Sequence, residues 1–149
     1  MALNDHVHVL SQIDIFRPLN AEALRLIAFS AETRFLRAGD VLFKFGDASD
    51  AGFVVLSGAL TLTPEGGGAA QTARPGMLVG EMALITPTQR PATATAVEIT
   101  GVLRITRALF MRVLNEFPEC AVQLHHEIST RAQRHASELR DFRARYLAV

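Results

Sequence analysis

FLRAGDVLFKFGDASDAGFVVLSGAL, residues 35–60, is built from short apolar runs that are separated by turn residues. Two of the turns carry the pairs Gly39-Asp40 and Gly46-Asp47. Glycine adopts a positive φ at little cost, and an aspartate carboxylate can accept a hydrogen bond within its own turn. Both pairs therefore predict tight corners, and short apolar runs joined by such corners are typical of antiparallel strands.

The same pattern continues in both directions, from Thr33 to Thr106. Its apolar or alternating runs are TRFL, VLFKF, GFVVL, ALTLT, MLVG, TATAVEI and VLRI. Successive runs begin about ten residues apart, which favours a small antiparallel sandwich or barrel over a parallel α/β fold. We predict a mainly β protein with flanking helices (α+β), in which an antiparallel β-roll of the double-stranded jelly-roll type lies between N-terminal helices and a long C-terminal helix.

Helical patterns flank this region on both sides. Residues 19–31, LNAEALRLIAFSA, place apolar side chains three and four residues apart behind Asn20, a good N-cap. Residues 106–117, TRALFMRVLNEF, predict a second helix that ends before Pro118, and this proline then opens a further helix at its first turn. We expect helices in residues 107–149 to follow the roll directly.

The last helix has a repeat of 3.5 residues, which is the period of a coiled-coil seam. The positions in this repeat are Ala121, His125, Ile128, Ala132, His135, Leu139, Phe142 and Tyr146. One face of the helix could pack on the roll, or it could pair with the same helix of a second chain. Because the repeat persists for more than three heptads, we expect a homodimer through this helix.

Composition limits the classes of protein that fit. A chain of 149 residues that is 49% apolar is long enough for one domain with a core, which we divide into 1–31, 32–106 and 107–149. The formal net charge is zero, so the chain lacks the basic excess of a dedicated nucleic-acid binder. The single cysteine, Cys120, excludes an intramolecular disulfide, and its apolar neighbourhood favours simple packing.

The sequence also argues against a membrane protein and against an enzyme. No run reaches the ~18 apolar residues of a membrane span, and the N-terminus does not resemble a signal peptide, so we expect a cytoplasmic protein. A cupin-type metalloenzyme would carry histidine ligands on its strands. The histidines here all lie in the terminal helices, at His6, His8, His125, His126 and His135, and no Ser/His/Asp or Cys/His constellation is visible. We therefore predict no metal and no catalysis.

One stretch carries an isolated pair of opposite charges. Residues 80–94, GEMALITPTQRPATA, contain a single acid, Glu81, and a single base, Arg90. EMAL predicts about one turn of helix, and Arg90 follows on the returning loop. A guanidinium matches the oxygens of a phosphate, whereas a carboxylate beside a phosphate is repulsive unless it accepts a hydrogen bond, for example from a ribose hydroxyl. The pair therefore predicts that sugar and phosphate are bound together.

These residues carry a resemblance to a known family. GEMAL (80–84) followed by RPATA (90–94) resembles the phosphate-binding cassette of cyclic nucleotide-binding domains, which occur in catabolite-activator-like regulators, protein kinase A regulatory subunits and cyclic nucleotide-gated channels. Residues 15–28, 35–60 and 110–119 are similar to the leading helix, the first strands and the hinge helix of that family. The resemblance extends from about residue 14 to residue 139.

The resemblance implies a ligand, cAMP or alternatively cGMP, and no cofactor. Glu81 would accept a hydrogen bond from the ribose 2′-hydroxyl, and Arg90 would pair with the cyclic phosphate. In the cassette (residues 80–93), the backbone N–H groups of Gly80, Ala83 and Ala92 would also bind the phosphate, and the apolar walls would be Met82, Leu84 and Val79. The last helix would cap the base near Arg134 and His135. The nucleotide-binding residues implied in this way are Val79, Gly80, Glu81, Met82, Ala83, Leu84, Arg90, Pro91, Ala92, Thr93, Arg134 and His135.

Two features depart from the family pattern. Family members often carry Ser, Thr or Ala directly after the cassette arginine, but Pro91 offers neither a hydroxyl nor an N–H group. Because cGMP-selective relatives use a threonine there, Pro91 favours cAMP. The regulators of this family also continue into a helix-turn-helix domain, and we expect no DNA-binding domain in this chain. The alternative that remains open is the same fold without nucleotide, acting as a dimerising interaction module or docking an effector protein.

Overall fold

The structure, a computed structural model, describes residues 3–129. Its α-helices are α1 (Leu3–Ser11), α2 (Ala21–Ser30), α3 (Arg107–Glu116) and α4 (residues 118–129), and two short 3-10 helices cover Asp14–Phe16 and Glu81–Leu84. The strands are β1 (Glu32–Leu36), β2 (Val41–Phe43), β3 (Ala48–Ser49), β4 (Ala51–Ser57), β5 (Leu60–Pro64), β6 (Gln71–Ala73), β7 (Leu78–Val79), β8 (Thr88–Gln89), β9 (Ala92–Ala96) and β10 (Thr100–Thr106).

The strands form an antiparallel roll. One four-stranded sheet has the order β1-β10-β4-β7, the other has the order β2-β9-β5-β6, and β3 pairs with β8 in a small separate ladder. The predicted mainly β roll with flanking helices is therefore confirmed. The sequence did not reveal β3, β6 and β8, because each is only two or three residues long and carries no apolar alternation.

Two apolar cores lie on opposite faces of the β1-β10-β4-β7 sheet. Phe53 and Val55 of β4 belong to the core inside the roll, whereas Val54 belongs to the core under helices α1 to α4. A strand that is buried on both faces needs a continuous apolar run rather than alternation, and GFVVL is such a run.

The Gly-Asp corners form as the sequence predicts. Gly39 and Gly46 have φ values of 89° and 83°. The carboxylate of Asp40 accepts a hydrogen bond of 2.8 Å from the backbone N–H of Arg37, and Asp47 accepts one of 2.9 Å from Lys44. Each aspartate therefore closes its own turn.

The predicted helix ends are also confirmed. The side chain of Asn20 accepts a hydrogen bond of 2.8 Å from the N–H of Ala23 and caps α2. Helix α3 ends at Glu116, and α4 begins at Pro118.

Among residues 3–129, no helix combines the length and the hydropathy that crossing a bilayer requires.

Helix α4 packs through a different face from the predicted seam. Cys120 and Leu124 are buried in the helix-side core, and Ile128 packs against it. Ala121 is half-buried and His125 is exposed. Because α4 begins at Pro118 beside the end of α3, its inward face is set by packing on its own chain. Of the seam positions up to residue 129, only Ile128 packs against that core. The packing role predicted for Cys120 is confirmed; seam positions beyond residue 129 lie outside the described residues.

Candidate functional site

The cassette begins with a glycine that no other residue could replace without strain. Gly80 follows β7 with φ 83° and precedes the 3-10 helix Glu81–Leu84. A Cβ atom at position 80 would lie 2.5 Å from Nη1 of Arg90. Glycine is therefore required here both by the left-handed backbone and by the close approach of the guanidinium.

Arg90 is buried rather than extended into solvent. Only 5% of the residue is exposed, and its Nη2 donates a hydrogen bond of 2.7 Å to the backbone oxygen of Ala51. Its guanidinium carbon lies 4.3 Å from the ring centre of Phe43 and 5.5 Å from that of Phe53. Such cation–π contacts are strongest where water is excluded, so the two rings fix the guanidinium in place.

The second terminal nitrogen of Arg90, Nη1, differs from Nη2 in lacking a hydrogen-bond partner within the described part of the chain. Nη1 is buried and makes no hydrogen bond among residues 3–129. Burial lowers the pKa of Arg90, while the carboxylates of Asp50 and Asp47 oppose that shift. Arginine nevertheless stays protonated in proteins, so the site holds a positive charge with an unsatisfied donor. An acceptor brought to Nη1 would relieve the cost of that unmade bond.

The backbone around Arg90 is fixed by the second Gly-Asp turn. The N–H of Arg90 donates to the carbonyl of Asp47, and the N–H of Gly46 donates to the carbonyl of Arg90, each at 2.8 Å. In the adjacent β3-β8 ladder, the hydroxyl of Ser49 donates a hydrogen bond of 2.7 Å to the carbonyl of Thr88. The turn that the sequence predicted as a corner thus also positions the cassette arginine.

A pocket of about 360 Å³ opens between the 3-10 helix and the returning strand β8. This volume lies near the lower end of the range, ~300–1,000 Å³, of small-molecule sites. Its lining residues are Ser49, Gly80, Glu81, Met82, Ala83, Thr88, Gln89, Arg90 and Pro91. Glu81 is exposed and Arg90 is buried, so the pocket combines an acidic residue near the surface with a basic residue in the interior.

The structure brings only part of the predicted set to this pocket. Val79 is buried in the core of the roll, and Leu84 has no exposed surface and packs in the helix-side core, so neither forms a pocket wall. Thr93 lies on β9, where its hydroxyl accepts a hydrogen bond of 2.9 Å from the N–H of Phe45. Arg134 and His135 lie outside the described residues.

The backbone N–H groups of Gly80, Ala83 and Ala92, which the resemblance assigned to the phosphate, differ in their positions and hydrogen bonds. The N–H of Ala83 donates to the carbonyl of Gly80 within the 3-10 turn, at 3.1 Å, and is therefore already engaged. Ala92 lies on β9, opposite Pro64 of β5. Gly80 lines the pocket. The sequence could show that a short helix forms here, but not which of its amides the turn itself would use.

Several residues of the site were missed by sequence reasoning. Ser49, Phe43 and Phe53 belong to the stretch 35–60, where they look like ordinary strand residues. Arg107, whose side chain donates hydrogen bonds to the carbonyls of Ser49 and Ala83, looks like an ordinary polar residue at the start of a helix. Their roles come from contacts with residues about 24 to 58 positions away in sequence. No local pattern signals such contacts.

The side chains of the pocket are suited to binding a ligand. A buried cation and an exposed carboxylate can hold an anion and a hydroxyl. Within residues 3–129, no group of three or more His, Cys, Asp or Glu side chains is placed to hold a metal ion. The fold and the pocket thus define a β-roll with a cavity in the size range of small-molecule sites.

Comparison with known proteins gives the family. The sequence model of the cyclic nucleotide-binding domain family matches residues 33–117, which contain strands β2 to β10 and the cassette. The chain therefore belongs to the cyclic nucleotide-binding domain family. Domains of this family are in general regulatory modules and not catalysts.

Solved structures agree with this assignment, and curated relatives match most of this chain over a small part of their own length. A cyclic nucleotide-binding-like protein from Brucella abortus is 38% identical, with a TM-score of 0.69, and the match covers 74% of this chain and 98% of that one. The N-terminal domain of a transcriptional regulator from Streptomyces coelicolor is 29% identical, with a TM-score of 0.79, over 88% and 94% of the two chains. Lysophospholipase nte1 of Emericella nidulans is 33% identical over 109 residues, which is 70% of this chain. The chain spans only 7% of the length of the curated relatives it matches.

Proposed function

We propose that this chain is a non-catalytic sensor that binds a purine 3′,5′-cyclic nucleotide, cAMP in preference to cGMP, in the pocket between the 3-10 helix and β8. The observation that carries the proposal is that Arg90 lines the pocket while its buried Nη1 has no hydrogen-bond partner among residues 3–129. A desolvated cation with a free donor favours an anion that can accept a hydrogen bond, and the cyclic phosphate is such an anion.

Glu81 provides the second contact. Glu81 lines the same pocket as Arg90, but it is exposed whereas Arg90 is buried. A carboxylate accepts hydrogen bonds only, so it binds the hydroxyl of a ribose and repels a second phosphate. The pair therefore favours a cyclic phosphodiester that carries a single negative charge and a free 2′-hydroxyl.

Pro91 is the basis for preferring cAMP. It lines the pocket beside Arg90, in the place where cGMP-selective relatives carry a threonine, and it has no hydroxyl for the guanine amino group. Loss of a hydrogen-bond partner costs more for guanine than for adenine at this position, because adenine has no amino group there.

We further propose that residues 130–149 complete the site and the assembly. In this proposal Arg134 and His135 cap the base, and the last helix is both a lid and the interface of a homodimer, or the docking site of an effector protein, in the cytoplasm. His125, an exposed member of the 3.5-residue repeat, supports the interface because it lies off the face that packs on the core.

A nucleotide-free interaction module is the second candidate. Two observations favour it: Arg90 already donates to Ala51, and Pro91 offers no N–H group to a phosphate. Isothermal titration of the full chain with cAMP and with cGMP separates the two candidates. We expect heat and saturation with one ligand per chain and tighter binding of cAMP. Absence of binding by both nucleotides would favour the interaction module.

A further inference from the structure

Arg107, the first residue of α3, is attached to the pocket by its side chain. Its Nη1 donates one hydrogen bond of 2.9 Å to the carbonyl of Ala83 and another of 3.1 Å to the carbonyl of Ser49. Its backbone N–H donates to the carbonyl of Asp50 at 2.7 Å. One residue thus connects the start of α3 to the cassette helix and to β3.

Both acceptors of the Arg107 side chain line the nucleotide pocket. Ala83 belongs to the 3-10 helix on one side, and Ser49 belongs to β3 on the other. Ser49 is 5% exposed, and its hydroxyl holds the carbonyl of Thr88 on the strand that leads to Arg90. A single nitrogen of Arg107 therefore fixes the spacing between the two limbs of the pocket.

The side chain of Arg107 is not needed to form α3. The N-cap is Thr106, whose hydroxyl accepts a hydrogen bond of 3.0 Å from the N–H of Leu109. The helix is anchored by its buried face, where Phe110 and Val113 lie in the same core as Cys120 of α4. A displacement of Ala83 would be transmitted through Arg107 to α3, and through that shared core to α4, because packed cores shift as units.

We propose that Arg107 is a positioning residue that couples occupancy of the pocket to helices α3 and α4. The inference rests on the proposed nucleotide function. Arg107 does not line the pocket, so its contribution is to hold the carbonyls of Ser49 and Ala83 and to pass their movement to α3. Hydrogen bonds from a charged donor are about twice as strong as neutral ones, which makes this connection stronger than a backbone contact.

The test uses the full chain and its single cysteine as a reporter. Cys120 is 2% exposed, so a disulfide reagent modifies it only when α4 opens. The rate of Cys120 modification is measured with and without saturating cAMP, and cAMP affinity is measured by calorimetry on the same samples. The variants are Arg107→Met, Arg107→Lys and the control Arg112→Met, which removes an exposed arginine of the same helix that pairs with Glu116.

We expect saturating cAMP to change the rate in the wild type and in Arg112→Met by at least about fivefold, the low end of ordinary coupling between sites. In Arg107→Met the change should fall below about twofold even at saturation, and Arg107→Lys should recover part of it because it keeps a charged donor. A merely structural role would alter the rate equally with and without cAMP and leave their ratio unchanged. If Arg107→Met does not fold, Arg107→Gln carries the same expectation.

The outcomes separate the two proposals. If the wild type binds neither nucleotide, the proposed function fails and the coupling fails with it. If the wild type binds cAMP but Cys120 does not respond, or if Arg107→Met keeps the full response, the role of Arg107 is overturned while the nucleotide site stands.

Discussion

Gly80 and Arg90 are fitted to each other: the guanidinium occupies the space that any side chain at position 80 would need. Gly80→Ala should therefore force Arg90 away from Phe43 and Ala51 in addition to straining a backbone with φ 83°. We expect a loss of unfolding free energy clearly above the ~1–2 kcal/mol of a left-handed alanine, and a loss of cAMP affinity of at least about tenfold. Thermal unfolding and calorimetry measure the two effects.

Gly66→Ala is the matched control for that variant. Gly66 has nearly the same φ, 84°, but a Cβ there would have nothing within 4 Å. Gly66→Ala should lose only the unfolding free energy that an alanine costs in a left-handed backbone, and it should bind cAMP as tightly as the wild type does. Equal behaviour of the two variants would contradict the steric relation between Gly80 and Arg90.

Arg90 itself should matter for binding but not for stability. Arg90→Met removes a buried charge whose Nη1 is unpartnered and replaces it with a side chain of similar length in contact with Phe43 and Phe53. Replacing a poorly satisfied buried charge with an apolar group is often neutral or stabilising. We expect unchanged or higher thermal stability, together with at least ~10-fold weaker cAMP binding, since a charged hydrogen bond contributes about 1.5–3 kcal/mol.

Arg25→Met, on the exposed face of α2, provides the control for Arg90 and should alter neither quantity. Wild-type affinity in Arg90→Met would disprove the phosphate contact. A large loss of stability would instead assign Arg90 a structural role.

The role of Glu81 can be separated from that of Arg90 with a modified ligand. Glu81→Ala should weaken cAMP by about tenfold and 2′-deoxy-cAMP by less than about twofold, because only cAMP offers the 2′-hydroxyl to the carboxylate. Glu81 is exposed, so the substitution should leave the fold intact. Equal losses for the two ligands, measured by calorimetry, would show that Glu81 does not contact the ribose hydroxyl.

Pro91 tests the preference for cAMP. Pro91→Thr introduces a hydroxyl and a backbone N–H beside Arg90 and should raise the affinity for cGMP relative to cAMP. Pro91→Ala is the control, because it restores the N–H without the hydroxyl. A wild type that already prefers cGMP, or a threonine variant with no change in the ratio, would contradict the assigned preference.

The role of the last residues can be tested by ending the chain after residue 129. This variant keeps Cys120 and Leu124, which are 2% and 4% exposed and belong to the core, so the roll and α4 should still fold. We expect a monomer in sedimentation and a cAMP affinity at least about tenfold lower, since the base would lose its cap. Full affinity together with unchanged dimerisation would refute both the lid and the interface.

How much the sequence could predict depends on the range of the interaction that fixes each element. The Gly39-Asp40 and Gly46-Asp47 turns were readable because each is closed by hydrogen bonds over three residues. The same is true of the cap at Asn20 and of the single turn of helix after Gly80. The cassette pattern with Glu81 and Arg90 then gave the family, because its spacing is local as well.

Other features of the fold depend on contacts between residues that are far apart in the sequence. Strand β8 exists because it pairs with β3, forty residues earlier in the chain, and α4 turns Cys120 and Leu124 inward because α2 and α3 leave an apolar surface there. The family resemblance implied that Leu84 forms an apolar wall of the pocket, but the 3-10 turn directs its side chain into the helix-side core.

Arg90 shows the division most clearly. Its identity and its distance from Glu81 along the chain are properties of the sequence alone. Its burial, the contact with Phe43, the bond to Ala51 and the unpartnered Nη1 arise only when strands from distant parts of the chain meet. The sequence specifies which side chain is present at a position. The free-energy cost of leaving its N–H donor without a hydrogen bond depends on the protein groups and the water around it, and only the folded chain determines those surroundings.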